Sequence, residues 1–388
     1  MGCRVPAESG VTFDRNTQTV PRHLFDQVAQ RYNGDKRTRS LSCWTQFCVM
    51  VYGQLCSRQS LRDVISAWDS HASAHYHVGA RKVKRSTLAD ANAKRPSGMY
   101  MEVFYWLLGQ SRGTGIGHKD AVRLIDSTTI DLCKQQFEWA SFRSGKSGVK
   151  IHTVYDPDAQ APTFFSITHA KKHDKKEAEK MPLLKGATYV FDRAYNDYAW
   201  FHDLSQDGIT FVSRMKSNAG FEVVESVPVS DAGVLEDQWI RLSSAKGREA
   251  CPTTLRRIRF VREADNKTLT FITNDLKRSA GEIASLYKQR WQIELFFKWI
   301  KQNLKIKRFI GTSENAVKIQ IIIAMIAYLL LHLANRVIGS QVTLQQLARL
   351  VSVNLMQRRD ILELVMKQSP PPKRQPTENL NQLSLINV

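Results

Sequence analysis

The stretch Tyr287–Lys305, YKQRWQIELFFKWIKQNLK, constrains the fold more than any other part of the chain. No proline or glycine interrupts it and helix formers dominate, which predicts one continuous helix. At about 100° per residue, Tyr287, Arg290, Glu294, Lys298, Lys301 and Lys305 fall on one narrow stripe. Ile293, Leu295, Phe296, Phe297, Trp299, Ile300 and Leu304 cover most of the remaining circumference. A helix so largely buried seldom carries a carboxylate flanked by cations unless that stripe faces a site. An amphipathic helix held by i,i+4 ion pairs shows the same pattern, so periodicity alone leaves both readings open.

The chain of 388 residues, 43% of them hydrophobic, is long enough for two or three domains with a sizeable core. Residues 1–20 lack periodicity and read as a flexible arm. Residues 21–112 read as a helical module, with HLFDQVAQRY, TRSLSCWTQFCVMVYGQLCSRQ, SLRDVISAWDSH (N-cap Ser60) and MEVFYWLLGQ as helices. From residue 118 the period changes to strands. AVRLIDSTTIDL, VKIHTVYDP and PTFFSITHAK form a meander, followed by helix DKKEAEKMPLL, strand ATYVFD, a helix opening at Asn196 and strand ITFVSRMK. This order, over 118–216, predicts a mixed sheet flanked by helices. Residues 217–278 read as a β-rich insertion with turns at GREACP and ADNK. Residues 279–312 return the chain to the sheet, 313–368 add apolar helices, and the proline-rich end, 369–388, reads as disordered.

Lys and Arg outnumber Asp and Glu 56 to 36, a formal net charge of +20, which points to a polyanionic partner, most simply nucleic acid. Arg81, Lys82, Lys84, Arg85, Lys94 and Arg95 cluster at the end of the helical module, a DNA-binding pattern that a solvated charged face would also produce. The N-terminus lacks a charged-then-apolar leader. The longest apolar run, Ile321–Leu331, is too short to span a bilayer. No membrane role is expected, and the six scattered cysteines without a CxxC pair suit a reducing, cytoplasmic setting. GTGIG precedes a strand and is no dinucleotide fingerprint, and SGKSG lacks the first glycine of a phosphate loop.

Two strand aspartates join Glu294 as candidates for chemistry. Asp126 sits in an apolar strand, and Asp192 ends a strand at the carboxyl edge where α/β sites gather. Asp131 is an odd number of residues from Asp126 and faces the other side. Carboxylates from two strands and a helix are a ligand set for two divalent cations, Mg²⁺ with Mn²⁺ as substitute, with Arg290 and Lys301 placed for phosphates. Lys150 and His152 share a strand face and are candidates for substrate phosphates or for plain sheet polarity. Asp174 is read as a helix cap.

The spacing Tyr287-x2-Arg290-x3-Glu294-x6-Lys301, with IDSTTI and VFDRAY ahead of it, resembles the signature of the insertion-sequence-four family of DDE transposases. PRHLF, CWTQF, SLRD and STLADANAKRP resemble the helical module of one branch, so the likeness runs from about residue 20 to 350. Ala194 stands where glycine is common in the family. The resemblance implies an RNase H-like core interrupted by a β insertion, with Asp126, Asp192 and Glu294 as the metal-binding triad. It also implies contact of Tyr287, Arg290 and Lys301 with the strands near the scissile phosphate. It implies a bacterial, nucleoid-associated enzyme, a homodimer on DNA, that cuts an element's terminal inverted repeats and joins the 3′-hydroxyls to target DNA. Related members pass through a DNA hairpin, for which Trp239 is a candidate base-holding aromatic here. A catalytically silent DNA-binding descendant and a nuclease on the same core are the alternatives.

Overall fold

The computed structural model describes residues 20–357 and Val365, apart from 37, 112–120, 144–145, 264, 305, 307 and 340–341. The expected arm up to residue 19, the GTGIG linker, Lys305 and the polar tail lie outside these residues.

Five α-helices open the described chain: α1 (Arg22–Arg31), α2 (Cys43–Leu55), α3 (Leu61–Ser70), α4 (Arg85–Lys94) and α5 (Ser97–Ser111). Ser42 and Ser60 cap α2 and α3 by accepting the backbone N–H of Thr45 and Asp63. Next come β1 (Val122–Leu132), β2 (Ser141–Arg143), β3 (Lys146–Asp156), β4 (Ala161–His169), α6 (Asp174–Ala178), β5 (Thr188–Phe191), α7 (Tyr198–Gln206) and β6 (Thr210–Arg214). The β-rich stretch supplies β7 (Phe221–Ser226), β8 (Val234–Leu242), α8 (Ala245–Ala250), β9 (Leu255–Arg262) and β10 (Lys267–Thr273). Then follow α9 (Ala280–Gln289), α10 (Trp291–Asn303), α11 (Glu314–Ile338) and α12 (Leu344–Asn354).

These strands form one 10-stranded sheet, ordered β2–β3–β1–β5–β6–β10–β9–β8–β7, with β4 also on β3. The β1, β3 and β4 meander is antiparallel, while β5 and β6 run parallel to β1. This is the RNase H-like mixed sheet that the strand order predicts. The β-rich stretch continues the same sheet: β10 pairs antiparallel with β6, Phe271 opposite Arg214 and Thr273 opposite Val212.

Alternating side chains divide the sheet between two apolar layers. Leu124, Ile151, Phe165 and Val190 join one layer with α1–α5 and α9–α12. Ile125, Val154, Phe191 and Phe211 join the other with α7 and its neighbours. Phe104 of α5 meets Phe165 of β4 edge-on at 4.8 Å, and Tyr328 of α11 donates to the Gln160 carbonyl before β4 at 2.6 Å. The N-terminal helices and the sheet therefore share a continuous core. The apolar run Ile321–Leu331 belongs to α11, which is 25 residues long and by length and composition alone could cross a membrane. Here 89% of its most apolar window is buried inside the protein, so it serves as the spine of that core.

The structure corrects four local expectations. The helix expected over Tyr287–Lys305 is two helices meeting at Arg290, where Arg290 N–H bonds to the Tyr287 carbonyl and Ile293 N–H to the Arg290 carbonyl. These i→i−3 bonds tighten one turn and break the α-helical ladder. The second helix is also less enclosed than expected, since Trp291 is 59% and Leu295 47% exposed. Asn196 does not cap α7: Asp197 does, accepting from Trp200 N–H, while the Asn196 amide bonds to the Arg214 carbonyl and the Ser213 hydroxyl. GREACP is no turn, because Arg248, Glu249 and Ala250 lie in α8, capped by Ser244.

Candidate active site

Parallel pairing sets Ile125 of β1 opposite Phe191 of β5. Asp126 is the next residue on β1 and Asp192 the residue that follows β5, so the register brings these two positions near each other. Antiparallel pairing with β3 places Thr153 beside Asp126 and His152 beside Ser127. On the layer facing α10, the turn at Arg290 aims its guanidinium at the sheet. It lies 3.6 Å from Asp126 Oδ2 and 2.6 Å from Glu294 Oε1. Asp126 and Glu294 are thus gathered on one cation. Asp192 accepts its own next N–H, from Arg193, and acts on Asp126 through its charge.

Burial pushes the Asp126 carboxyl up to about 6, with the charges of Glu294 and Asp192 adding to the rise. The Ser127 N–H, 2.8 Å from Oδ1, and Arg290 oppose it. Among the described residues no three His, Cys, Asp or Glu side chains close up into a metal-holding group. The donor chemistry nonetheless fits a hard divalent cation. Glu294 and Asp192 each act on the Asp126 carboxyl through their charge, and the three offer oxygen alone, with no thiol or imidazole among them.

A cleft of about 330 Å³ opens here, lined by Asp126, Ser127, Thr128, Glu294, Phe297, Lys298 and Lys301. Lys301 Nζ donates to the Thr129 carbonyl at 3.0 Å and Lys298 is exposed. Tyr287 is buried against Phe271, ring centroids 4.9 Å apart, and the Arg290 guanidinium sits 5.6 Å over its ring. Arg290 Nε is buried and has no hydrogen-bond partner among the described residues. A larger apolar cavity, about 470 Å³, lies among Trp44, Phe47, Tyr52, Trp68 and Leu330, and no carboxylate lines it.

The remaining candidates separate. Arg81, Lys82, Lys84, Arg85 and Lys94 are exposed on and before α4. Arg95 is not: it is 9% exposed and bonds to Gln46 Oε1 at 2.8 Å and to the Leu41 carbonyl, tying α2 to the loop before it. Composition could not separate it from its neighbours, because the partners lie about 50 residues upstream. Trp239 is half-buried in β8, paired with Arg256 and Glu225. Trp291, three residues before Glu294, is exposed, which the periodicity did not foresee. Lys150 and His152 face inward, toward Asp174, and not toward solvent.

The family described as Transposase DDE domain matches residues 117–330, more than half of the chain. The chain belongs to the DDE transposases. A domain of unknown function matches residues 11–81. The chain is 42% identical over 311 residues to a Sinorhizobium fredii protein named for a transposase, y4zB, covering 78% of this chain and 86% of that protein. It is 33% identical over 214 residues to a Geobacillus stearothermophilus protein named for the transposase of insertion sequence element IS5377, covering 54% and 55%. A Synechocystis protein named for the transposase of insertion sequence element IS4SA is 28% identical over 261 residues, covering 64% and 71%. The matched family segment of this DDE transposase contains Asp126, Asp192 and Glu294.

Asp174 makes one pH expectation concrete. Burial pushes its carboxyl up, but His152, the Ser127 hydroxyl and Lys150 outweigh that and hold it well below the usual carboxylate range. Tyr195 is the other titratable group facing it. A carboxyl depressed in the folded state stabilises the protein above its unfolded pKa, about 4, and that stability is lost as pH falls further. The wild-type urea midpoint is expected to fall as pH drops below about 4, and Asp174→Asn to give a flatter profile there. Parallel profiles would show that Asp174 does not carry the effect.

Proposed function

We propose that this DDE transposase cuts DNA at the ends of an insertion sequence and joins the freed 3′-hydroxyls to target DNA, with Asp126, Asp192 and Glu294 as its catalytic carboxylates. The observation that carries this reading is Asp126 and Glu294 gathered on Arg290 beside a cleft that Lys298 and Lys301 line. The three carboxylates would hold two divalent cations, Mg²⁺ or Mn²⁺, which when bound activate a water or 3′-hydroxyl and stabilise the leaving oxygen at phosphorus. The chain's own residues bind and orient the strand. Lys298 and Lys301 offer ammonium groups to backbone phosphates, and Arg290 holds Asp126 and Glu294 together beside them. Phe297 walls the cleft with apolar surface and limits water beside the phosphorus. Tyr287 orients Arg290 through its ring face.

Duplex DNA would extend from the cleft toward the exposed cations Arg81, Lys82, Lys84, Arg85 and Lys94, with two copies of the chain engaging paired ends at the nucleoid of a bacterial cell. For a hairpin step, the exposed Trp291, three residues before Glu294, is the candidate stacking aromatic.

The test uses purified full-length protein and duplexes carrying the DNA that flanks the gene. Mg²⁺-dependent nicking at a fixed position, followed by joined products, is the expected result. Nicking without joining would favour a nuclease, and retention of DNA without nicking a silent binding protein.

A further inference from the structure

A polar cluster lies directly behind Asp126 and takes no part in the reaction as proposed. Asp174, the first residue of α6, accepts from the Ser127 hydroxyl at 2.6 Å and from Lys150 Nζ at 3.2 Å. His152 Nδ1 stands 3.3 Å from the same carboxylate, and His152 is wholly buried. Its other nitrogen lies 2.9 Å from the Thr168 hydroxyl of β4. Lys150 also reaches the Lys172 carbonyl, at 3.3 Å. One carboxylate thus joins β1, β3 and the start of α6 at the residue that follows Asp126. The Ser127 backbone N–H is itself the 2.8 Å donor to Asp126 Oδ1.

We infer that Asp174 is a positioning residue: by gripping the Ser127 hydroxyl, it fixes the peptide whose N–H orients the Asp126 carboxylate. Three features support this. A hydroxyl–carboxylate bond at 2.6 Å is charge-assisted and directional. The cluster is braced from both sides, since Lys150 pairs with Asp174, the His152 ring packs beside it, and Thr168 holds the far side of that ring. Solvated side chains would need none of this burial, and Asp174 is not the helix cap the sequence suggests, since His173 holds that position and Asp174 is the first residue of α6. Groups that orient a ligand carboxylate from behind typically change metal affinity or activity about 10- to 100-fold when removed. The inference rests on the proposed role of Asp126.

The test compares wild type, Ser127→Ala, Ser127→Thr and Asp174→Asn in the full chain. Readouts are nicking of the flanking-DNA duplex, duplex retention, and Mn²⁺ binding followed by electron paramagnetic resonance without DNA. Ser127→Ala is expected to lower kcat for nicking and to weaken Mn²⁺ binding, each about 10-fold or more, with KM for DNA unchanged. Ser127→Thr, which keeps the hydroxyl, is expected to restore both. Asp174→Asn should match Ser127→Ala, and the double variant should be no worse than the poorer single. If Asp174→Asn fails to fold, Ser127→Ala and Ser127→Thr decide alone. Wild-type nicking and Mn²⁺ binding in Ser127→Ala would overturn the inference. Absence of nicking by wild type would instead overturn the catalytic reading, and this inference with it.

Discussion

Glu294→Gln is expected to remove nicking by about three orders of magnitude or more while duplex retention changes by no more than about twofold. Each factor of ten corresponds to about 1.4 kcal/mol of barrier, and carboxylates that place metal charge at a reacting phosphate supply several kcal/mol. Glutamine keeps the shape of Glu294 and can still accept from Arg290, so the turn at Arg290 should persist. What it loses is the negative charge. Asp126→Asn should have the same effect, because Asp126 lies against the same guanidinium. Asp131→Asn is the control: Asp131 is on the same strand but exposed and opposite Gly148, and its replacement should leave nicking intact. Near-normal nicking by Glu294→Gln or Asp126→Asn would remove these residues from the chemistry.

The second large effect is on stability. Arg256 of β9 holds Asp237 of β8 with two nearly parallel bonds, Nε to Oδ1 at 2.8 Å and Nη2 to Oδ2 at 2.6 Å. Both side chains are almost fully buried, at 5% and 4% exposure. Arg256 Nη1 also reaches the carbonyls of Asp275, at 3.2 Å, and Arg278, at 2.5 Å, in the turn that launches α9. Removing one partner of such a pair leaves a buried charge uncompensated and costs about 3–5 kcal/mol. Arg256→Ala is therefore expected to lower the apparent Tm clearly and to lower nicking indirectly, since α9 carries Tyr287 toward the cleft. Asp237→Leu combined with Arg256→Met should recover much of the loss, because an apolar pair of similar volume avoids the desolvation cost. A double variant as unstable as Arg256→Ala would place the stabilisation in the carbonyl contacts instead.

The meander β1–β3–β4 and the strands β5 and β6 were legible because each strand writes its burial into a period of two or an apolar run. Helix α3 announced itself through Ser60 and Asp63, a cap that acts within three residues. Features that depend on distant partners were not legible. The pairing of β6 with β10 spans some sixty residues, so nothing local distinguishes a separate insertion from a widened sheet. Two good capping residues stand in a row at Asn196 and Asp197, and the choice between them is made by Arg214 and Ser213 on a neighbouring strand. The break at Arg290 involves neither proline nor glycine, so periodicity carried the helix straight through it. At the site, alternation put Lys150 and His152 on one face correctly, but only the fold reveals that Asp174 comes to meet them. Arg95 shows the reverse case, a cation in a basic cluster drawn inward by Gln46 and Leu41.

The shared core has a practical consequence for anyone dissecting this protein. Residues 20–111 read like a detachable unit, yet α5 lies along α11 and Phe104 reaches β4. Expressed alone, that fragment would present the greasy flanks of α2 and α5 to solvent, and the catalytic half would be left with a bared α11. The N-terminal helices and the family domain are built on one scaffold, so re-engineering either half means changing its exposed loops while leaving the shared helices in place.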